Sequence, residues 1–309
     1  MGSRAKVISI YNQKGGVAKS TTSVNTAEIF AEMGKNVLLI DFDAQGTATL
    51  MCNLPTWDSS IPNMGDLIMP FAENGIRASI DEILTCVTRG TYTKNVRVPG
   101  KMGWEEKEIE YPFDIIPVCC ETLSMGEMAI FDSENFIYQH VEYSFYMLKL
   151  IIDTIVEECN YDYIIIDTNP SLSAFAVNCL VASDYLIVPT TMSPEAVNGI
   201  QAIFKRLEEL ALEYPYFHPL GIVYQKFDGK RTLDRDIINN TIFEEFETTI
   251  PDVNSKVSKS INENLIPAMR QEARYKSFRD AYISLCKEIE EKIEKYESEN
   301  GEIIRKKID

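Results

Sequence analysis

The chain has 309 residues, with 30 Lys and Arg against 47 Asp and Glu and a formal net charge of -17 at pH 7. At 45% apolar and 25% charged residues it has the composition of a folded, water-exposed protein, long enough for one large core or two modest ones. No run approaches 18 uninterrupted apolar residues, which argues against a membrane span, and the acidity argues against a protein that is basic throughout and coats nucleic acid. The seven cysteines are scattered, without a CxxC pair, so neither a disulfide framework nor a metal cluster is indicated. The charge is uneven, however: residues 226–279 carry ten Lys/Arg and nine Asp/Glu, which leaves room for a local DNA-facing surface on an acidic body.

The N-terminal residues run straight into an apolar strand at residues 6–11, which predicts no signal peptide. A Gly-rich stretch follows, then a helix over 19–33 and a second strand over 36–41 that ends on Asp41. This is one strand–helix–strand unit. Residues 51–112 are less regular, with Pro, Gly and short amphipathic pieces, a helix at 79–88, and a charged loop or hairpin at 101–110. Further apolar runs at 113–118, 163–167, 185–189 and 220–224 read as strands, and 141–159, 195–213, 232–247 and 262–297 as helices. The strand runs are mostly continuous rather than alternating, as in strands covered on both faces. No internal repeat or linker divides the chain, so residues 1–309 are expected to form a single domain with a C-terminal helical region at 262–297.

The stretch Asn12-Gln13-Lys14-Gly15-Gly16-Val17-Ala18-Lys19-Ser20-Thr21 follows a strand and opens a helix. Glycines let the backbone aim its N–H groups at an anion, and the helix adds its unpaired N-terminal N–H groups. Lys19 is placed to reach β- and γ-phosphates, and the Ser20 hydroxyl to bind Mg²⁺; the plainer reading is a Gly-rich turn. An ordinary phosphate loop has Gly just before that lysine. Ala18 is tolerated there by an α-like backbone but not by a positive φ. Lys14, at the loop entrance, is either a solvent-facing lysine or a cation for a phosphate of its own or a partner's site. Asp41 and Asp43 share a face of extended chain, and Asp167 closes its own strand. In doubly wound sheets ligands sit beyond the carboxyl ends of strands, so all three carboxylates suit a nucleotide site, although each also suits a helix cap. Lys19, Lys14, Ser20 and a water-positioning carboxylate suffice for phosphoryl transfer. The two histidines, His140 and His218, lie in no catalytic motif.

At these residues the chain resembles the ParA/Soj partition ATPases, within the wider group that includes MinD. Lys14 through Thr21 match the family's deviant Walker A motif, with Ala18 and Ser20 where Gly and Thr are commoner. Asp41-Phe42-Asp43-Ala44-Gln45-Gly46-Thr47-Ala48-Thr49 match its second motif. Ile164 through Leu172 match the Walker B segment, with Asn169 where a proline is usual. Val188-Pro189 with Glu195, Ala196 and Gly199, the stretch from Gly221 to Asp228 with Arg231-Thr232, and Ile250-Pro251 with Val253, Val257 and Ser260 resemble later blocks. The resemblance implies a three-layer P-loop NTPase fold, a mostly parallel twisted sheet flanked by helices. It implies ATP and Mg²⁺ as ligands. Lys14 is similar to the signature lysine that crosses to the partner's nucleotide, and Gly15 to the glycine that permits close approach. Gly16, Val17, Ala18, Lys19, Ser20 and Thr21 resemble the rest of the phosphate cradle. Asp43 resembles the residue that orients the attacking water, Asp167 and Ser20 resemble the Mg²⁺ shell, and Asp41 resembles either a further Mg²⁺-shell residue or one that orients the lysine. Gln225 and Pro251 fall where the family holds adenine.

The resemblance further implies an ATP-dependent homodimer that binds non-specific double-stranded DNA, is slowly hydrolytic, and answers to a centromere-binding ParB-like adaptor. Candidate phosphate contacts are Lys226, Lys230, Arg231, Lys256, Lys259, Arg270, Arg274, Lys276 and Arg279, which otherwise form a solvated mixed-charge face. The operator-binding helix-turn-helix of longer plasmid members is not expected ahead of residue 7. A cytoplasmic, nucleoid-associated protein is expected, without stable membrane association. A MinD-like membrane positioner would need a basic amphipathic terminal helix, whereas residues 284–309 are rich in Glu. An ATPase that positions a protein cargo on the nucleoid would have the same chemistry.

Overall fold

Runs such as Val7-Ile8, Leu38-Leu39-Ile40 and Ile164-Ile165-Ile166 are apolar on both sides of an extended chain, so they are stable only when sandwiched between two layers. The computed structural model describes residues 4–97, 104–132, 145–170, 174–191, 217–227, 244–251 and 275–305. Its strands are β1 (Lys6–Ile10), β2 (Val37–Phe42), β3 (Thr91–Arg97), β4 (Trp104–Glu110), β5 (Asp114–Ile116), β6 (Tyr163–Thr168), β7 (Tyr185–Thr191), β8 (His218–Phe227) and β9 (Glu245–Pro251). Seven of these form one sheet in the order β5-β2-β6-β1-β7-β8-β9, and every pairing in it is parallel.

The helices described are α1 (Lys19–Glu32), α2 (Thr47–Met51), α3 (Met64–Asn74), α4 (Ile80–Cys86), α5 (Cys120–Asp132), α6 (Met147–Glu158), α7 (Ala174–Ala182) and α8 (Lys276–Asn300). Side chains alternate across the sheet. Ile8, Ile10, Leu39 and Ile165 pack on one face with α1 and α8, while Val7, Leu38, Ile40, Ile164 and Ile166 pack on the other with α3, α6 and α7. This is the expected three-layer fold, with a wholly parallel main sheet.

The irregular region resolves into short, locally capped pieces. Of the charged stretch at 101–110, the described part, Trp104–Glu110, is β4 of an antiparallel hairpin with β3. The helix expected at 79–88 is α4, opened by a capping box in which Ser79 and Glu82 satisfy each other's backbone N–H groups. A similar box of Asn63 and Asp66 opens α3, which the composition of the region concealed. The helix expected at 232–247 overruns at its end, because Glu245–Pro251 is the edge strand β9. Phe246 and Ile250 turn inward to the core, and the Glu288 carboxylate on α8 accepts the N–H groups of Glu247 at 2.6 Å and Thr248 at 3.0 Å. Two N–H groups of the edge strand are thereby satisfied by a side chain. The helix expected at 195–213 and the rest of that at 232–243 lie outside the described residues. Of the helical region at 262–297, the described part is α8 from Lys276 onward.

After α8 the chain turns back to the opposite end of the sheet from the strands' carboxyl termini. Arg305 is buried there between Asp153 at 2.7 Å and Asp184 at 3.1 Å, and Arg4 shares the Asp184 carboxylate at 3.0 Å. The last described residues are therefore held against the body by ion pairs that are largely out of water.

One buried acid is left without such partners. Glu28 on α1 is 1% exposed, and neither carboxyl oxygen has a hydrogen-bond partner. Burial, and then the neighbouring Glu32, push its pKa up to about 8, with Arg279 pulling the other way. The folded chain thus keeps this proton through a pH range where the unfolded chain has released it, so stability falls as pH rises from the ordinary Glu value of 4.5 toward about 8. Glu28→Gln is expected to stabilise the protein by about 2 kcal/mol at pH 8.5 and by much less at pH 5, measured by urea unfolding. Equal effects at the two pH values would contradict a raised Glu28 pKa.

Candidate nucleotide site

The parallel register sets the site. Asp167 lies beside Ile10 of β1 on one side and Asp41 of β2 on the other. Alternation turns both carboxylates to the face covered by α1, and both are fully buried. Asp41 is saturated: its Oδ2 accepts the Thr49 N–H at 2.8 Å and hydroxyl at 2.7 Å, and its Oδ1 accepts the Asp43 N–H at 3.1 Å. Asp167 is not. Its Oδ1 accepts the Ser23 hydroxyl at 2.8 Å, while its buried Oδ2 has no hydrogen-bond partner. Burial raises both pKa values; Asp167 adds to the rise at Asp41, and hydrogen bonds from Ser20 and Ser23 restrain that at Asp167.

The Gly-rich loop runs from β1 to α1 above these acids. Asn12 braces its start, accepting the Lys14 N–H at 2.9 Å and donating to the Pro189 carbonyl of β7 at 2.8 Å. Lys19, the first residue of α1, is only 7% exposed and reaches back so that Nζ lies 3.5 Å from the Lys14 carbonyl. Burial lowers its pKa, and Asp167 and Asp43 oppose that. Asp43 is the least buried of the three acids; its Oδ1 accepts the Gln45 N–H at 3.0 Å, and burial raises its pKa while Lys19 lowers it. A cradle of backbone N–H groups, one buried cation, hydroxyls at the helix start and a carboxylate oxygen without a partner together suit a polyanion carried with a hard, oxygen-seeking cation.

Two loop positions show what the backbone demands. Gly16 has φ +74°, and Ala18 has φ 68° and ψ 34°, a left-handed conformation in a residue with a side chain. The condition under which Ala18 is poorly tolerated is therefore the one realised, at a cost of about 1 kcal/mol. Gly15 is different: a Cβ there would meet nothing within 4 Å, so its smallness serves no contact inside the protomer.

The other expected site residues fall as follows. Gly15 through Thr21, Lys14, Asp41, Asp43 and Asp167 converge at the carboxyl ends of β1, β2 and β6. Gln225 is 2% exposed at the end of β8 and donates to the Thr22 hydroxyl on α1 at 3.0 Å, so its amide is engaged in the interior. Pro251 ends β9 opposite Phe227. Of the cations expected to face DNA, Lys276 is exposed at the start of α8, and Arg279 is paired with Glu32 of α1. Lys226 lies on β8. Lys230, Arg231, Lys256, Lys259, Arg270 and Arg274 lie outside the described residues. Sequence reasoning missed Ser23 and Thr49. Ser23 stands one turn after Ser20 on the same helix face, a spacing that marks it as a neighbour of whatever Ser20 touches.

The AAA_31 family model, described as an AAA domain, matches residues 5–215. A protein of Methanocaldococcus jannaschii is 31% identical over 223 residues, covering 72% of this chain and 73% of that protein. The sporulation initiation inhibitor protein Soj of Bacillus subtilis is 31% identical over 199 residues, covering 64% of this chain and 63% of Soj's length. The fold matches that of cobyrinic acid a,c-diamide synthase from Mycobacterium smegmatis, a structure with bound ATP analogue and magnesium, at a TM-score of 0.66 and 18% identity over 98% of this chain and 100% of that one.

Replacing Ala18 by Gly relieves the left-handed strain and gives back part of that gain as unfolded-state entropy. Ala18→Gly is expected to raise stability by about 0.5 kcal/mol, or one to two degrees in Tm by calorimetry. A loss of stability would mean that Ala18 does not hold a positive φ.

Proposed function

Because this chain belongs to the AAA_31 family of ParA/Soj-type P-loop ATPases, we propose that it hydrolyses ATP as a switch that partitions DNA. The observation that carries this reading is the unpartnered, buried Asp167 Oδ2 beside Lys19 and the loop, a charge arrangement that wants a bound phosphate and cation to complete it.

In this reading the loop N–H groups from Gly15 to Thr21 hold the β- and γ-phosphates, and Lys19 neutralises charge on them. Ser20 and Asp167 would hold Mg²⁺, which would supply further charge neutralisation. Asp41, fully engaged by Thr49 and Asp43, fixes the loop that carries Asp43. Asp43 orients a water whose oxygen bonds to the γ-phosphorus as the β–γ bridging bond breaks, giving ADP and phosphate. Phosphoryl transfer of this kind needs alignment and charge more than covalent chemistry. Turnover is slow until a partner completes the site.

Lys14 and the open space at Gly15 face a second copy of the chain in the ATP state. The dimer then presents Lys226, Lys276 and the cations of residues 230–274 to the phosphates of non-specific double-stranded DNA. Arg279 is the weakest of these candidates, since Glu32 already holds it. A ParB-like adaptor bound to the centromere stimulates hydrolysis and releases the dimer. The protein works in the cytoplasm, on the nucleoid when ATP is bound. At the last described residue, Arg305 is tied to Asp153 and Asp184. Among the described residues no helix is long and apolar enough to cross a membrane.

The test is binding to a non-specific duplex with no nucleotide, ADP or ATP, and with ATP for Asp43→Ala. Binding is expected only with ATP, more persistent in Asp43→Ala, and at least tenfold weaker when salt rises from about 50 to 200 mM. Absence of binding in every state, with ATP-dependent dimerisation intact, would remove DNA from the proposal and leave the ATPase standing. In the same preparations Lys19→Ala is expected to lower ATP turnover by about 100-fold or more, read as phosphate release.

A further inference from the structure

Behind the phosphate loop lies a buried polar cluster that the hydrolytic chemistry does not use. Thr22, on the first turn of α1, is fully buried. Its N–H and its hydroxyl both donate to the carbonyl of Ala18, at 2.9 and 2.7 Å. The hydroxyl oxygen in turn accepts Gln225 Nε2 from the end of β8 at 3.0 Å, and the Tyr282 hydroxyl of α8 lies 3.5 Å away. Gln225 and Tyr282 are themselves 2% and 0% exposed. Three elements that are far apart in sequence thus converge, through hydroxyls and an amide, on the carbonyl of the one loop residue that bears left-handed strain.

The physical consequence follows from the geometry of one residue. Ala18 caps α1 without a side-chain hydrogen bond and holds φ 68° and ψ 34°. Left to itself an alanine relaxes to negative φ. Two donors on its carbonyl fix the orientation of the peptide that follows it, and therefore resist that relaxation. The Thr22 hydroxyl can hold its direction only because Gln225 occupies its acceptor side, since a hydroxyl has one proton to give. Buried networks of this kind lose more than one bond when a member is removed.

We propose that Thr22, oriented by Gln225 and Tyr282, is a positioning residue that locks Ala18 in the anion-ready conformation and so makes nucleotide affinity depend on the seating of α8 and β8. This rests on the nucleotide reading above. It also assigns Gln225 to the support of the loop rather than to the adenine. Because α8 begins at Lys276, the same contacts tie the phosphate loop to the helix that carries a cation expected to face DNA.

The test is a double-mutant cycle read by ADP binding with magnesium and, separately, by Tm without nucleotide. Thr22→Val keeps the shape and removes the hydroxyl; Thr22→Ser keeps the hydroxyl. Thr22→Val is expected to weaken ADP binding about fivefold to tenfold in the Ala18 chain, and less than twofold when Ala18 is replaced by Gly, which needs no lock. Tyr282→Phe should follow the same pattern with a smaller effect, and Thr22→Ser should bind as the unaltered chain does. The Tm loss on Thr22→Val should likewise shrink in the Ala18→Gly background. Equal losses in both backgrounds would show a packing role alone and overturn the inference while the nucleotide reading stands. Failure of the unaltered chain to bind ADP would overturn that reading, and this inference with it.

Discussion

Parallel pairing in strict register is the constraint on which the site depends. β6 lies between β1 and β2, so the residue that ends β6 falls between the loop that leaves β1 and the acid that ends β2. Side chains alternate across the sheet, so a one-residue slip would send Asp41 and Asp167 to the opposite face, away from α1. The apolar layers on both sides hold that register, since each strand has inward positions on both faces. Placement of two carboxylates under a phosphate loop is thus a by-product of burying isoleucine and leucine.

Placing charge there is costly, and the structure distributes the cost. Asp41 is compensated within the chain by three hydrogen bonds and serves as a strut. Asp167 and Lys19 are compensated only in part, and each is pushed by burial toward its neutral form. In the proposed function a bound phosphate and a divalent cation supply the charges that the protein leaves out. This is the usual relation between a binding site and the stability it forgoes.

Away from the site both edges of the same sheet have contacts within the chain. Glu288 of α8 takes the N–H groups of Glu247 and Thr248 on β9, and Thr88 bridges to Ile115 at the other edge. Arg4 and Arg305 meet on Asp184, which ties the two ends of the described chain beneath the sheet. α8 therefore bears on the edge strand, on the terminal ion pairs that follow it and, through Tyr282, on the residue that supports the phosphate loop. A single helix linking these places makes the C-terminal region a part of the site's frame.

Local patterns in the chain were enough to determine the strands β1, β2, β6, β7 and β8, the helix α1, the phosphate loop and the three strand-end acids. Each depends on residues adjacent in sequence: an apolar run, a glycine pair before a helix, a carboxylate after the last isoleucine. The Pro- and Gly-containing composition of residues 51–112 concealed α3 despite its capping box, and the Glu-rich start of β9 reads as helix, because what makes it a strand is the burial of Phe246 and Ile250 against the core. The sequence posed the question of Ala18 and could not answer it, since the sign of φ depends on how β1 and α1 are placed. Only tertiary structure decided that Asp41 is saturated while Asp167 is not, that Arg279 is held by Glu32, and that Gln225 supports Thr22. Those facts concern partners more than 100 residues apart, or a choice among partners, and no local pattern carries a choice that packing makes.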